Sequence, residues 1–325
     1  MPSVGVKILL IRGGAIGDFI LTLPAIAALR RQFPKAHLEL LGYPRVTQLA
    51  LAAGLVNRSQ SIEARALAAF FAPGAALDEE WAEYFSGFDI VISYLYDPDQ
   101  TFEHNVLRCM RGQFIPGPHR AEERAKLHAA KAYLKPLERL AIFDADHVPQ
   151  LTLSSQPLVA PKSDAGGATF NQLALHPGSG SELKNWPQTK WAELLDHLAR
   201  STEFGLLLVG GEAEGERLQQ LSRHVRLPPA RLSIAKSLPL VELAGHLRAS
   251  VAFIGHDSGI SHLAAAVGLP GLILWGDTAE EIWRPPSEKM VVVRHPAGLA
   301  SLEAGEVMEC LRRLPVHARL IRELQ

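Results

Sequence analysis

Four stretches of the sequence carry residue types suited to holding a phosphate, accepting ribose hydroxyls or taking up a proton. The longest, Val251–Thr278 (VAFIGHDSGISHLAAAVGLPGLILWGDT), reads as strand, polar turn, helix, strand, polar turn. Asp257, Ser258 and Gly259 end the apolar run, and Asp257 or Ser258 is expected to cap the helix that follows. The free N–H groups and positive end of such a helix suit a phosphate, and His262 in its first turns adds a further donor. His176–Pro187 (HPGSGSELKNWP) offers the Ser179 hydroxyl and the Lys184 cation on a glycine-rich loop. That combination either holds a pyrophosphate or is a solvated loop anchored by Trp186-Pro187. Gly210-Gly211 is followed by Glu212 and Glu214, placed either to accept ribose hydroxyls or to complement a helix dipole. In Arg12–Pro24 (RGGAIGDFILTLP), Asp18 opens a helix after two glycine turns. It is either an N-cap or a carboxylate able to take a proton.

Two further groups are read more plainly. Asp97-Pro98-Asp99 is a loop with no supporting ligands nearby, and no metal is assigned to it. His119–Arg139 carries six Lys/Arg, among them Arg120, Arg124 and Lys131, against three Glu. It is either a solvated helix face or a contact for an anionic partner. A dinucleotide fingerprint fails at the first motif. GxGxxG needs glycine where Arg12 stands, and the second strand ends Leu41-Gly42-Tyr43 without the acid that holds a ribose.

The elements that must position these residues alternate. Strands are expected at Val6–Ile11, His37–Leu41, Ser61–Ile62, Phe88–Tyr94, Leu173–Leu175, Gly205–Val209, Leu232–Ala235, Val251–Ile254, Gly271–Trp275 and Val291–Val293. Helices fall between them, at Phe19–Gln32, Ala121–Leu140 and Thr189–Arg200 among others, with terminal helical segments at Glu303–Leu314 and Val316–Leu320. Ser154–Thr169 is rich in Ser, Pro, Gly and Ala and reads as a linker. The pattern predicts two parallel α/β sheets, each wound on both faces. Every glycine loop named above then lies at a strand's carboxyl end, where such sheets bind ligands.

Composition narrows the function classes. With 325 residues and 47% hydrophobic residues, the chain can build two cores. A formal net charge of −1 argues against a nucleic-acid binder. Cys109 and Cys310, without a CxxC, argue against a disulfide framework or structural zinc and fit a reducing compartment. The start, MPSVGVKILLIRGG, reads as a first strand rather than a signal peptide, and no apolar run reaches the roughly 18 residues that span a bilayer.

In order and spacing, RGGAIGDFILTLPAI, HPGSGSELKNWPQTKWAEL, LLLVGGEAE and IGHDSGISHLAAAVGLPGLILWGDT make the chain resemble glycosyltransferase family 9, the ADP-heptose:lipopolysaccharide heptosyltransferase family. The resemblance spans nearly the whole chain. It implies a GT-B architecture, with two Rossmann-like doubly wound parallel-sheet domains facing across a cleft. Residues 1–160 would bind the acceptor and 161–325 the nucleotide sugar, with Glu303–Leu320 packing back on the first domain. The implied reaction is inverting transfer of heptose from ADP-heptose to a lipopolysaccharide inner-core or related glycan. Asp18 matches the family's base. Ser179, Lys184 and Asp257-Ser258-Gly259 match diphosphate contacts, Glu212 or Glu214 the ribose contact, and the Leu238 backbone the adenine contact. No cofactor or metal is expected beyond the co-substrate. Arg120, Arg124 and Lys131 are the acceptor-binding candidates, facing an anionic glycolipid from a cytoplasmic protein in peripheral contact with the inner membrane. The chain departs from the family where His256 replaces a frequent Asn and Ile260-Ser261 a frequent Pro-Met. The competing readings are a related transferase with another nucleotide sugar or acceptor, and a non-catalytic nucleotide-sugar-binding protein. Asp18 and Lys184 speak against the second.

Overall fold

Lys7–Arg12 (β1) is an almost unbroken apolar run, and every residue after Lys7 is buried, as expected of a parallel strand covered on both faces. The computed structural model describes residues 5–153 and 170–314. The chain divides into two units, Met1–Ser154 and Ser155–Gln325. The expected linker, Ser154–Thr169, and the terminal segment Val316–Leu320 lie outside the described residues.

In the first unit β1 is followed by α1 (Ile16–Gln32), β2 (His37–Gly42), α2 (Pro44–Ala52), β3 (Arg58–Ser61), α3 (Glu79–Ser86), β4 (Ile90–Ser93), α4 (Thr101–Leu107), β5 (Gln113–Pro116) and α5 (Ala129–Leu134). The strands form one parallel sheet in the order β3-β2-β1-β4-β5. One face packs Leu9, Ile11 and Val91 against Phe70, Phe85 and Phe102. Gly42 lies opposite Arg12, and a Cβ there would stand 2.6 Å from the Arg12 carbonyl oxygen, so strand pairing requires glycine.

Three local expectations change. Helix α1 starts at Ile16, three residues ahead of the expected start, so Asp18 lies in its first turn and Pro24 falls inside the helix. The edge strand β5, four residues ending in proline, has no counterpart in the sequence reading. Ala121–Leu140 is not one helix. It breaks into a short turn at Glu123–Ala125, α5, and a 3-10 stretch at Lys135–Leu140. Lys126 takes a left-handed φ of 48°, which ends any helix at that point.

The second unit runs β6 (Gln172–Leu175), α6 (Gln188–Ser201), β7 (Gly205–Gly210), α7 (Gly215–His224), β8 (Leu232–Lys236), α8 (Leu240–Ala249), β9 (Ala252–His256), α9 (Gly259–Ala266), β10 (Gly271–Leu274), α10 (Glu280–Trp283), β11 (Met290–Val293) and α11 (Ala304–Arg312). Its parallel sheet is ordered β11-β10-β9-β6-β7-β8. Helix α6 buries Trp191, Leu194, Leu195 and Leu198, the spacing of a single apolar stripe. Helix α11 buries Val307, Met308 and Leu311 in the same core and packs on α6. Its apolar face is therefore used inside the second unit.

Candidate active site

Each sheet reverses its strand order once, and loops after the two strands flanking the reversal diverge to leave a ligand crevice. In the first unit the reversal lies between β1 and β4. The chain leaves β1 through Gly13, Gly14 and Ala15, with Gly14 at a φ of +96° that favours glycine. It then enters α1 and presents Asp18 there.

Asp18 is held from three sides. Its Oδ2 accepts the Ala15 N–H at 3.3 Å, and its Oδ1 accepts the Tyr133 hydroxyl at 3.2 Å. The Arg12 guanidinium reaches Oδ1 with Nη2 at 3.5 Å. The N-cap of α1 is Ala15 and not Asp18, which stands at the third position of the helix, reaches back to the Ala15 N–H and remains 29% exposed. Arg12 is 1% exposed. Its Nη1 donates to the carbonyls of His119 at 2.8 Å and Tyr94 at 3.3 Å, and its Cζ lies 4.5 Å from the centre of the Tyr133 ring. Tyr94 in turn donates its hydroxyl to the Tyr133 carbonyl at 2.6 Å. Burial raises both tyrosine hydroxyls above the usual phenol range, so both act as donors near neutrality. Sequence reasoning met Arg12 only as an obstacle to a glycine motif and did not single out Tyr94 or Tyr133. Their separation along the chain left no local signal.

Arg120 follows the carboxyl end of β5 and pairs with Glu123 at 3.4 Å. Arg124 and Lys131 are exposed, but they lie on different elements, not on one helix face. Asp97 accepts the backbone N–H groups of Phe102 and Glu103 and so caps α4.

In the second unit the reversal lies between β6 and β9, which puts the loops 176–187 and 257–259 side by side. Ser258 caps α9, its hydroxyl accepting the Ser261 N–H. Lys184 donates to Asp257 Oδ2 at 2.6 Å, and the Thr278 hydroxyl donates to the same oxygen at 2.8 Å. Gly259 is the first residue of α9, and His262, at 6% exposure, is largely enclosed within that helix. Ser179 donates its hydroxyl to the Ser181 carbonyl at 2.7 Å, shaping the loop. Leu238 is partly buried before α8, next to Ser237, whose φ is 52°.

The two glutamates separate. Glu214 Oε2 accepts the Gly211 N–H at 2.8 Å, while Oε1 lies beside Gly178, where a Cβ would stand 3.0 Å from it and 2.2 Å from Cγ. Glu214 therefore sits between the loops after β6 and β7, and Gly178 makes room for it. Glu212 is exposed. A cavity of about 470 Å3 opens here, lined by Ser179, Gly180, Asn185, Glu214 and Arg217 among others.

His256 is fully buried and anchors the lysine loop. Its Nε2 accepts the Trp186 backbone N–H at 2.9 Å and faces the Trp191 indole N–H at 3.4 Å. That leaves the proton on Nδ1, which donates to the Gly178 carbonyl at 3.2 Å. Burial holds the ring neutral, with its pKa lowered to about 4. Ser261 donates its hydroxyl to the His256 carbonyl and so braces the same turn. Trp186 is an anchor too, donating its indole N–H to the Leu302 carbonyl at 2.9 Å.

The fold is shared with known proteins. The chain is 24% identical over 297 residues to lipopolysaccharide heptosyltransferase 3 of Escherichia coli, covering 85% of each chain. It superposes on the E. coli ADP-heptose lipopolysaccharide heptosyltransferase II with a TM-score of 0.78 at 17% identity, covering 98% and 99% of the two chains. An E. coli heptosyltransferase solved with ADP gives a TM-score of 0.74 at 20% identity, covering 94% and 99%. These structures place the two-sheet fold in the GT-B class. The family model described as glycosyltransferase family 9 (heptosyltransferase) matches residues 114–311, more than half of the chain. The protein is accordingly a glycosyltransferase belonging to family 9.

Proposed function

We propose that the protein transfers a heptose from ADP-heptose to a lipopolysaccharide inner-core or related glycan acceptor, with inversion at the anomeric carbon. The observation that carries this reading is the Lys184–Asp257 pair beside the first turn of α9, at the second sheet's point of reversal. A half-exposed lysine, the Ser258–Gly259 backbone and the positive end of α9 together suit a departing diphosphate. Ser179 belongs to the same loop as Lys184, and Leu238 to the loop after β8, where the adenine contact is proposed. Glu214 is the better placed of the two acids for the ribose. One of its oxygens is spent on Gly211 and the other faces the gap between two strand-end loops. His262 supports α9 from inside more than it offers a donor, given its burial. Two relatives strengthen the choice of donor: one is named as a heptosyltransferase, and another was solved with ADP.

Asp18 is the proposed base. It takes the proton of the acceptor hydroxyl as that oxygen attacks the anomeric carbon and the bond to the diphosphate breaks. Arg120, Arg124 and Lys131 supply cationic groups for an anionic acceptor, and peripheral membrane contact on the cytoplasmic side is proposed through this exposed basic region. No described helix is long and apolar enough to cross a membrane.

Calorimetric titration with ADP, UDP, GDP and NAD tests the donor site. Selective ADP binding that weakens in Lys184→Ala is expected. Preference for UDP or GDP rejects ADP-heptose as donor. Asp18→Asn is expected to abolish transfer with ADP binding intact, and full activity in that variant would remove Asp18 as the base. Binding to anionic over neutral vesicles at low salt checks the membrane contact, and equal binding to both counts against it.

A further inference from the structure

Asp257 Oδ2 receives two donors, the Lys184 ammonium at 2.6 Å and the Thr278 hydroxyl at 2.8 Å. The carboxylate is nearly enclosed, with 9% of its side chain exposed, whereas Lys184 is 37% exposed. Thr278 is held independently of this contact. The buried Trp275 donates its indole N–H to the Thr278 carbonyl at 2.9 Å, and Arg294 donates to the Gly276 carbonyl at 2.8 Å. The hydroxyl is thus presented to Asp257 by a loop that other bonds fix in place.

This arrangement addresses a conflict built into the site. Lys184 is paired with Asp257. A diphosphate must draw that lysine towards itself, which strips an enclosed carboxylate of its counter-charge, and an enclosed carboxylate without partners is costly. A neutral donor on the same oxygen lowers the cost, because it stays in place when the lysine turns.

We propose that Thr278 is a positioning residue for the diphosphate of a nucleoside-diphosphate ligand. It holds Asp257 so that Lys184 is shared between carboxylate and diphosphate instead of locked to the carboxylate. The inference rests on the proposed role of Lys184. Its specific consequence is that Thr278 affects recognition of the second phosphate and not of the nucleoside.

Calorimetry with ADP and AMP on the wild type and on Thr278→Val, Thr278→Ser and Lys184→Ala tests it. Thr278→Val is expected to lower the ratio of ADP to AMP affinity roughly five- to tenfold, the net worth of one hydrogen bond, with AMP affinity changed less than about twofold. Thr278→Ser keeps the hydroxyl and is expected to keep the ratio. Lys184→Ala is expected to lower the ratio further. An unchanged ratio in Thr278→Val beside a lowered one in Lys184→Ala overturns the role of Thr278 and leaves that of Lys184 standing. An unchanged ratio in Lys184→Ala overturns both. Equal losses for ADP and AMP in Thr278→Val, or a serine variant as impaired as the valine one, also overturn the proposal, since either marks a disturbed loop and not a missing hydroxyl.

Discussion

Replacing Asp18 by Asn should destabilise the first unit, and the cost should depend on Arg12. Arg12 is 1% exposed and its guanidinium lies 3.5 Å from the Asp18 carboxylate. At that separation two unit charges attract by about 5 kcal/mol at an effective dielectric of about 20. Asp18 is 29% exposed, so solvent screens part of this, and two backbone carbonyls on Nη1 and an aromatic face offset only part of the desolvation of Arg12, whose Nε and Nη2 make no hydrogen bond among the described residues. A net coupling of about 1–2 kcal/mol remains. Asp18→Asn alone is therefore expected to cost about 1.5–3 kcal/mol, including a few tenths for the lost charge in the first turn of α1. In an Arg12→Met background the same change should cost under about 1 kcal/mol. Urea unfolding of the four proteins, read by hydrogen exchange of the β1 and α1 amides, measures the cycle. Additivity within about 0.5 kcal/mol would refute the pairing. A stability gain in Asp18→Asn would contradict the geometry outright.

Tyr133→Phe removes the hydroxyl bonded to Asp18. It should lower kcat for transfer about five- to tenfold at unchanged donor KM, measured by ADP release, and a change confined to KM would count against a role beside the proposed base. Gly178→Ala puts a methyl 2.2 Å from Glu214 Cγ, so the acid must move; ADP affinity should fall, and Glu214→Gln should reproduce that loss without the steric change. Burial lowers His176 to about 3 and His256 to about 4. Both stay neutral in the fold, while in the unfolded chain they take up protons below about pH 6.5. The unfolded state then binds more protons, so stability is highest above that pH and falls as pH drops from about 6.5 towards 4, by up to about 1.4 kcal/mol per pH unit for each ring. Melting of the second unit between pH 7 and 5 checks the sign, and a flat or rising midpoint on acidification refutes it.

The parts of this molecule that can be read along the chain are those whose signal is local. Short apolar runs marked β1, β6, β7 and β9, and with them the carboxyl-end loops that lead to Asp18, Lys184, Glu214 and Asp257. Alternation of strand and helix gave two wound sheets. What stayed hidden is set by contact across the fold. Tyr133 lies 115 residues from the carboxylate it bonds, and the His119 carbonyl lies 107 residues from Arg12. The basic stretch 121–140 misled because nothing at Lys126 announces a left-handed residue, whereas its charges and alanines favour a helix. The β5 strand is short and lies at a sheet edge, so its four residues carry too little pattern to show.

The two points of reversal use the same device with opposite signs. In the first unit an enclosed cation, Arg12, steadies a partly exposed carboxylate; in the second an enclosed carboxylate, Asp257, steadies a partly exposed lysine. In each pair the member open to solvent is the one proposed to meet substrate. The enclosed member is tied down by groups that do not depend on its partner. For Arg12 these are two carbonyls and a tyrosine ring, and for Asp257 the Thr278 hydroxyl. A charge fixed in this way can lose part of its partner's attention during binding or proton transfer without forcing the loop to rearrange. Substituting either enclosed residue should therefore mimic loss of its exposed partner: Arg12→Met should impair transfer while sparing ADP binding, and Asp257→Asn should impair ADP binding. If each variant instead lost both properties equally, the enclosed charges would be serving the general fold and not the group beside them.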